Sequence, residues 1–135
     1  MTRFEAVFPA DLAVIRPVTE GILQLLRGNP GVAGHEVEIE LALREALSNA
    51  IRHGCRCDRT KFVECRVTYE STGDLLIVVR DPGRGFDADD VPSPLDAVNL
   101  RKPNGRGIFL IRHLMDEVRF ADGGREIRMR KRRRR

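Results

Sequence analysis

The chain has no hydrophobic run approaching the roughly 20 residues that cross a bilayer. Its first residues, Met1-Thr2-Arg3-Phe4-Glu5, carry no apolar signal-peptide core. Neither a membrane partner nor export is expected, and the expected location is cytoplasmic. Cysteine is scarce and odd in number: Cys55, Cys57 and Cys65. Reduced thiols fit that compartment. His53, Cys55 and Cys57 form a C-x-C beside a histidine, but no second pair completes a zinc set. Two common phosphate signatures are missing. There is no G-x-x-x-x-G-K-[ST] loop and no G-x-G-x-x-G between a strand and a helix. No internal repeat or domain linker interrupts the chain.

What is present fits one soluble domain. The 135 residues are 41% hydrophobic and 33% charged, with a net charge of +4. The positive excess is local. The last five residues, Lys131 to Arg135, are all basic, and without them the net charge is −1. A phosphate-backbone surface spreads its charge over a face of the fold. This charge sits at one end, so residues 1–130 read as a single domain and 131–135 as a solvated basic tail. No direct nucleic-acid contact is expected.

Periodicity places the elements. Phe4, Ala6 and Phe8 alternate with Arg3, Glu5 and Val7, which predicts a strand from Thr2 to Phe8. Asp11 is an N-cap candidate for a helix whose apolar face is Leu12, Ile15, Ile22, Leu25 and Leu26. Pro17 demands either a kink or a later start. A second helix spans Gly34 to His53, with Val37, Leu41, Ala42, Ala46, Leu47 and Ala50 apolar and Gly54 as its stop. Two strands, Phe62 to Tyr69 and Leu75 to Val79, flank a Gly73-Asp74 turn. Residues 81–107 hold four prolines and four glycines with little periodicity. That composition predicts a mobile binding loop or lid. A helix from Gly107 to Met115 and strands Glu117 to Phe120 and Glu126 to Arg130 complete the chain. This order predicts an α+β fold: a two-layer sandwich with a mixed, largely antiparallel sheet and helices on one face.

Three short segments carry chemistry. Glu45, Asn49 and His53 are four apart and share one helical face. Glu and Asn turned toward apolar neighbours need partners, and such oxygens suit Mg²⁺ completed by water and phosphates. Asp81-Pro82-Gly83-Arg84-Gly85 directly follows an apolar strand, so the carboxylate can accept from an amino group while the glycines admit a flat ligand. Asn104-Gly105-Arg106-Gly107 opens a helix at Ile108, where free N–H groups and the helix dipole favour an anion. Each segment alone is also consistent with a polar stripe, an ordinary turn or a hinge. Their order is more specific than any one of them.

That order resembles the GHKL ATPases, the Bergerat-fold superfamily. Within it, the chain is most similar to the small bacterial anti-sigma factor serine/threonine kinases. The resemblance covers nearly the whole chain and is densest over Glu45 to Gly54, Asp81 to Gly85 and Asn104 to Val118. It leaves no room for the dimerisation helix of histidine kinases. The resemblance implies that Asn49 binds Mg²⁺ bridging the ATP phosphates and that Glu45 takes the proton of the target hydroxyl. Asp81 would accept the adenine amino hydrogen, with Gly83 and Gly85 forming the floor. Gly105 and Gly107, flanked by Asn104, Arg106 and Ile108, would meet the phosphates, with Arg52 and His53 near that edge. The implied substrate is a serine or threonine of a STAS-type anti-anti-sigma protein. A sigma factor is an alternative partner, Arg16 is a partner contact, and the implied assembly is a homodimer. Two departures stand out. Gly123-Gly124-Arg125-Glu126-Ile127 lacks the threonines of the usual Gly-x-Gly-Thr-Thr, and Arg101-Lys102-Pro103 replaces the usual Thr/Ser-Lys-Pro run. A nucleotide-gated module that binds its partner without phosphoryl transfer therefore stays open beside the kinase reading.

Overall fold

The structure is a computed structural model, and it describes residues 2–29, 31–83 and 103–133. The lid reading of residues 84–102, including Gly85 and Arg101-Lys102, lies outside the described residues.

Strand β1 (Thr2–Pro9) is followed by a 3₁₀ turn at Leu12–Val14 and helix α1 (Ile15–Leu26). Asp11 caps the turn, its Oδ1 accepting from the Ala13 N–H at 3.0 Å. Pro17 thus falls in the first turn of α1, where its missing N–H costs nothing. Helix α2 (Glu36–Asn49) carries Glu36 and Glu38 at its positive end. It runs into one π turn at Ala50–Gly54, closed by the Cys55 N–H on the Ala50 carbonyl at 2.8 Å. Strands β2 (Phe62–Tyr69) and β3 (Leu75–Arg80) form the expected hairpin, with Gly73 at φ 92°. Helix α3 (Pro103–Leu114), β4 (Glu117–Ala121) and β5 (Glu126–Lys131) complete the described chain.

The sheet order is β1-β2-β3-β5-β4, and every neighbouring pair is antiparallel. Residues in register share a face. Phe8 with Val63, Cys65 with Val79, and Ile77 with Met129 meet on the helix side. They join Ile22 and Leu26 of α1, Ile39, Leu43 and Leu47 of α2, and Ile111 of α3 in one core. The expected two-layer α+β sandwich is the observed fold.

Several local readings are corrected. The buried face of α1 is Thr19, Ile22, Leu23 and Leu26, while Leu12 and Leu25 are exposed. On α2, Ile39 and Leu43 enter the core, and Val37 and Leu41 lie outside it. Both helices carry apolar residues on two adjacent rows, and packing against the sheet selects one. The last strand reaches one residue further than its alternation indicated. Lys131 is buried, pairs with Glu38 and donates to the Leu114 carbonyl at 2.6 Å. The backbone N–H groups of Arg132 and Arg133 are held by Asp116 and Asp74 at 2.6 and 3.1 Å. Residues 131–133 are thus fastened to the domain rather than solvated as a tail.

Candidate functional site

Helix α2 brings Glu45 and Asn49 to the face that meets α3. A Cβ added to Gly107 would lie 2.9 Å from Glu45 Oε2, and 3.3 and 3.4 Å from Asn49 Nδ2 and Oδ1. The two oxygen-bearing side chains therefore converge on a point of backbone with no side chain of its own. Both are half-buried. Gly107 and Ile108 are buried.

The start of α3 differs from expectation. The helix begins at Pro103, so Asn104, Gly105, Arg106 and Gly107 belong to its first turns rather than to a turn ahead of Ile108. Proline suits the first helical position, because its missing N–H would have no partner there. The donors left without intrahelical partners are then at the level of Asn104 and Gly105, whereas Gly107 lies inside the helix.

One turn further on, at the π turn that follows α2, a second convergence forms. Asp81 follows β3 and is buried at 9% exposure. Its Oδ1 accepts from the Gly83 N–H at 2.8 Å. A Cβ on Gly54 would overlap the Asp81 carboxyl group, and one on Gly83 would overlap the Gly54 carbonyl. Gly54 was expected as a helix stop, a position that commonly takes positive φ. Instead Arg56 and Cys57 take the positive φ values, 52° and 56°. Gly54 is required by close approach to Asp81, and the π turn delivers it there. Single π turns of this kind are frequent at functional sites. Sequence reasoning missed this role, since a glycine at a helix end reads first as a stop.

Electrostatics separate the two ends. Burial raises the Asp81 carboxyl above its ordinary range, opposed by the Gly83 N–H and then by the charges of Arg125, Arg80 and Lys61. His53 is exposed on the π turn, its proton affinity lowered by partial burial and then by Arg52. Arg16 is 82% exposed at its side chain and pairs with Glu20 at 3.1 Å. Among the described residues, no group of three or more His, Cys, Asp or Glu gathers to hold a metal. Asn49 and Glu45 offer two hard oxygen donors. That donor set fits Mg²⁺, which takes few protein ligands and completes its shell with water and phosphate.

Glu45 and Gly54 are nine residues apart along α2 and the π turn that follows it, roughly 13 Å at the helical rise. The glycines at 54 and 83 let the π turn and Asp81 approach closely, and Gly107 lets Glu45 and Asn49 approach α3.

Fold and site together define a GHKL-type ATPase domain. The chain belongs to the histidine kinase-like ATPase domain family, whose model matches residues 8–131. It is similar to the serine-protein kinase RsbW of Bacillus licheniformis, 32% identical over 132 residues, covering 91% of this chain and 79% of that protein. RsbW of Bacillus cereus is 30% identical over 145 residues, covering 97% and 87%. Among solved structures, the histidine kinase domain of a blue-light activated histidine kinase from Erythrobacter litoralis shares the fold. Its TM-score is 0.55 at 21% identity, over 93% of this chain and 61% of that one.

Proposed function

We propose that this chain binds ATP with Mg²⁺ along α2 and transfers the γ-phosphoryl group to a serine or threonine of a STAS-type anti-anti-sigma protein. In this reading it also sequesters a sigma factor, exchanging one partner for the other in the cytoplasm as a homodimer. One observation carries the proposal. Asp81 is wedged between Gly54 and Gly83 at the π turn that follows α2, while Glu45 and Asn49, in the last turns of α2, converge on Gly107. The names of the relatives, serine-protein kinases, support phosphoryl transfer.

Each residue has a role in this account. Asp81 accepts the exocyclic amino hydrogens of adenine, and Gly83 and Gly85 leave the floor flat. Asn49 would hold Mg²⁺ through its amide oxygen, and the bound ion would supply charge neutralisation at the phosphates. The N–H groups opening α3 near Gly105 face the same phosphates. Glu45 orients the partner's hydroxyl. As that oxygen bonds to the γ-phosphorus and the bond to ADP breaks, Glu45 takes its proton. Arg16, exposed on α1, meets the partner protein.

The test is incubation with radiolabelled ATP and a cognate STAS protein. The expected result is phosphoserine or phosphothreonine, lost in Glu45→Ala although nucleotide still binds. Undiminished transfer by Glu45→Ala would remove Glu45 from the base role. Tight partner binding with ATP left intact would favour the nucleotide-gated module.

A further inference from the structure

The register of β3 and β5 pairs Val79 with Ile127 and Arg80 with Glu126. The Asp81 N–H extends it by one step, donating to the Arg125 carbonyl at 2.9 Å. Residues paired this way project from the same face of a sheet. Val79 and Ile127 point into the helix layer and are buried there. The bond from the Asp81 N–H sets Arg125, which closes the 3₁₀ turn Asp122–Gly124 with φ −74° and ψ −17°, directly beside Asp81. Arg125 is exposed, so its guanidinium is available to a ligand.

The neighbouring cations are occupied on the other face. Arg80 pairs with Asp122 and with Glu126 at 3.6 Å, and Arg128 pairs with Glu126 at 2.8 Å. Among the described residues Arg125 has no ion-pair partner. Its charge nevertheless reaches Asp81, where it opposes the effect of burial. An acceptor and a donor fork thus stand side by side at the base end of the site.

We propose that Arg125 is a base-selecting residue, donating to a purine acceptor beside the group that Asp81 receives. The proposal rests on the nucleotide-pocket reading above. Adenine offers an amino donor next to ring-nitrogen acceptors, which matches Asp81 and Arg125 together. Guanine carries the O6 acceptor in place of that amino group. Asp81 alone repels O6, whereas an arginine fork binds O6 and N7 readily. A neutral threonine, as in the resembling kinases, lacks that fork. Arg125 therefore narrows the preference for ATP over GTP.

The experiment measures affinity for adenosine, ATP and GTP by calorimetry, for the wild type and Arg125→Thr. The variant is expected to bind adenosine and ATP more weakly by one common factor, about 10- to 100-fold, the loss of a single hydrogen bond to a charged group. GTP should weaken by more, so that the preference for ATP widens. Unchanged adenosine affinity would overturn the assignment, and a loss confined to ATP would move Arg125 to the phosphates. Failure of the wild type to bind adenosine and ATP would overturn the pocket reading, and this assignment with it.

Discussion

Replacing Gly54 by alanine isolates the close approach on which the base end depends. The new Cβ would fall well under 3.0 Å from the Asp81 carboxyl group, where ordinary contact begins at 3.4 Å. The carboxylate must retreat by roughly an ångström, since carbon contacts are best near 3.5–4.0 Å. That retreat breaks the 2.8 Å bond from the Gly83 N–H. A hydrogen bond to a charged group contributes about 1.5–3 kcal/mol. Alanine in a helical turn returns about 0.5–1 kcal/mol. The net destabilisation is about 1–2 kcal/mol, which lowers the melting temperature by about 4–8 °C for a domain this size. The displaced carboxylate also misses the adenine amino group, so ATP affinity should fall by about 10- to 100-fold. Thermal melting and calorimetric titration read the two effects. Gly21→Ala is the control, because a Cβ there meets nothing within 4 Å and Gly21 is an exposed residue of α1. It should be slightly stabilising and neutral for ATP. A Gly54 variant that behaves like the Gly21 variant would refute the reasoning.

Gly107→Ala presses on the ends of two flexible side chains, Glu45 and Asn49, rather than on backbone. Stability should change by less than about 1 kcal/mol, while phosphoryl transfer falls at least tenfold; the melting curve and a transfer assay check this pair. Asp81→Asn removes a charge that burial disfavours. Because the folded-state pKa is raised, the native protein binds more protons than the unfolded chain between the two values. The wild type therefore loses stability as pH rises through that interval, and the asparagine variant does not. At pH 7 the variant should melt higher yet bind ATP poorly, and the difference in melting should shrink below the ordinary carboxylate range. Burial pushes the Cys65 thiol up to about 12 from 9.0. The unfolded chain ionises first, so this stabilisation is present below pH 9.0 and is lost toward pH 12. Exposed Cys57 should react with iodoacetamide in the native state while buried Cys55 and Cys65 stay protected, as peptide mapping would record.

The sheet was legible because strands with one buried face alternate. Phe4, Ala6 and Phe8 against Glu5 and Val7 already determine which face of β1 meets the core. The helix faces were less legible, since Val37 and Leu41 occupy the same row as Glu45 and Asn49, one step from the buried row of Ile39 and Leu43. Asp81, Glu45 and Asn49 were visible as polar residues placed beside apolar runs. Gly54 and Arg125 were not visible as site residues. The role of Gly54 depends on a π turn meeting the end of β3, and that of Arg125 on one hydrogen bond between β3 and β5. Both are contacts between segments distant in sequence. The start of α3 was misjudged because two glycines weaken helix propensity over 103–107, and tertiary packing outweighs propensity of that size.

The most direct test compares Asp81→Ala and Asn49→Ala for binding of adenosine and of ATP with Mg²⁺. A base at one end and phosphates at the other predict that Asp81→Ala weakens both ligands, whereas Asn49→Ala weakens ATP and leaves adenosine unchanged. Wild-type adenosine affinity in Asp81→Ala, or equal losses of both ligands in Asn49→Ala, would contradict the nucleotide pocket along α2.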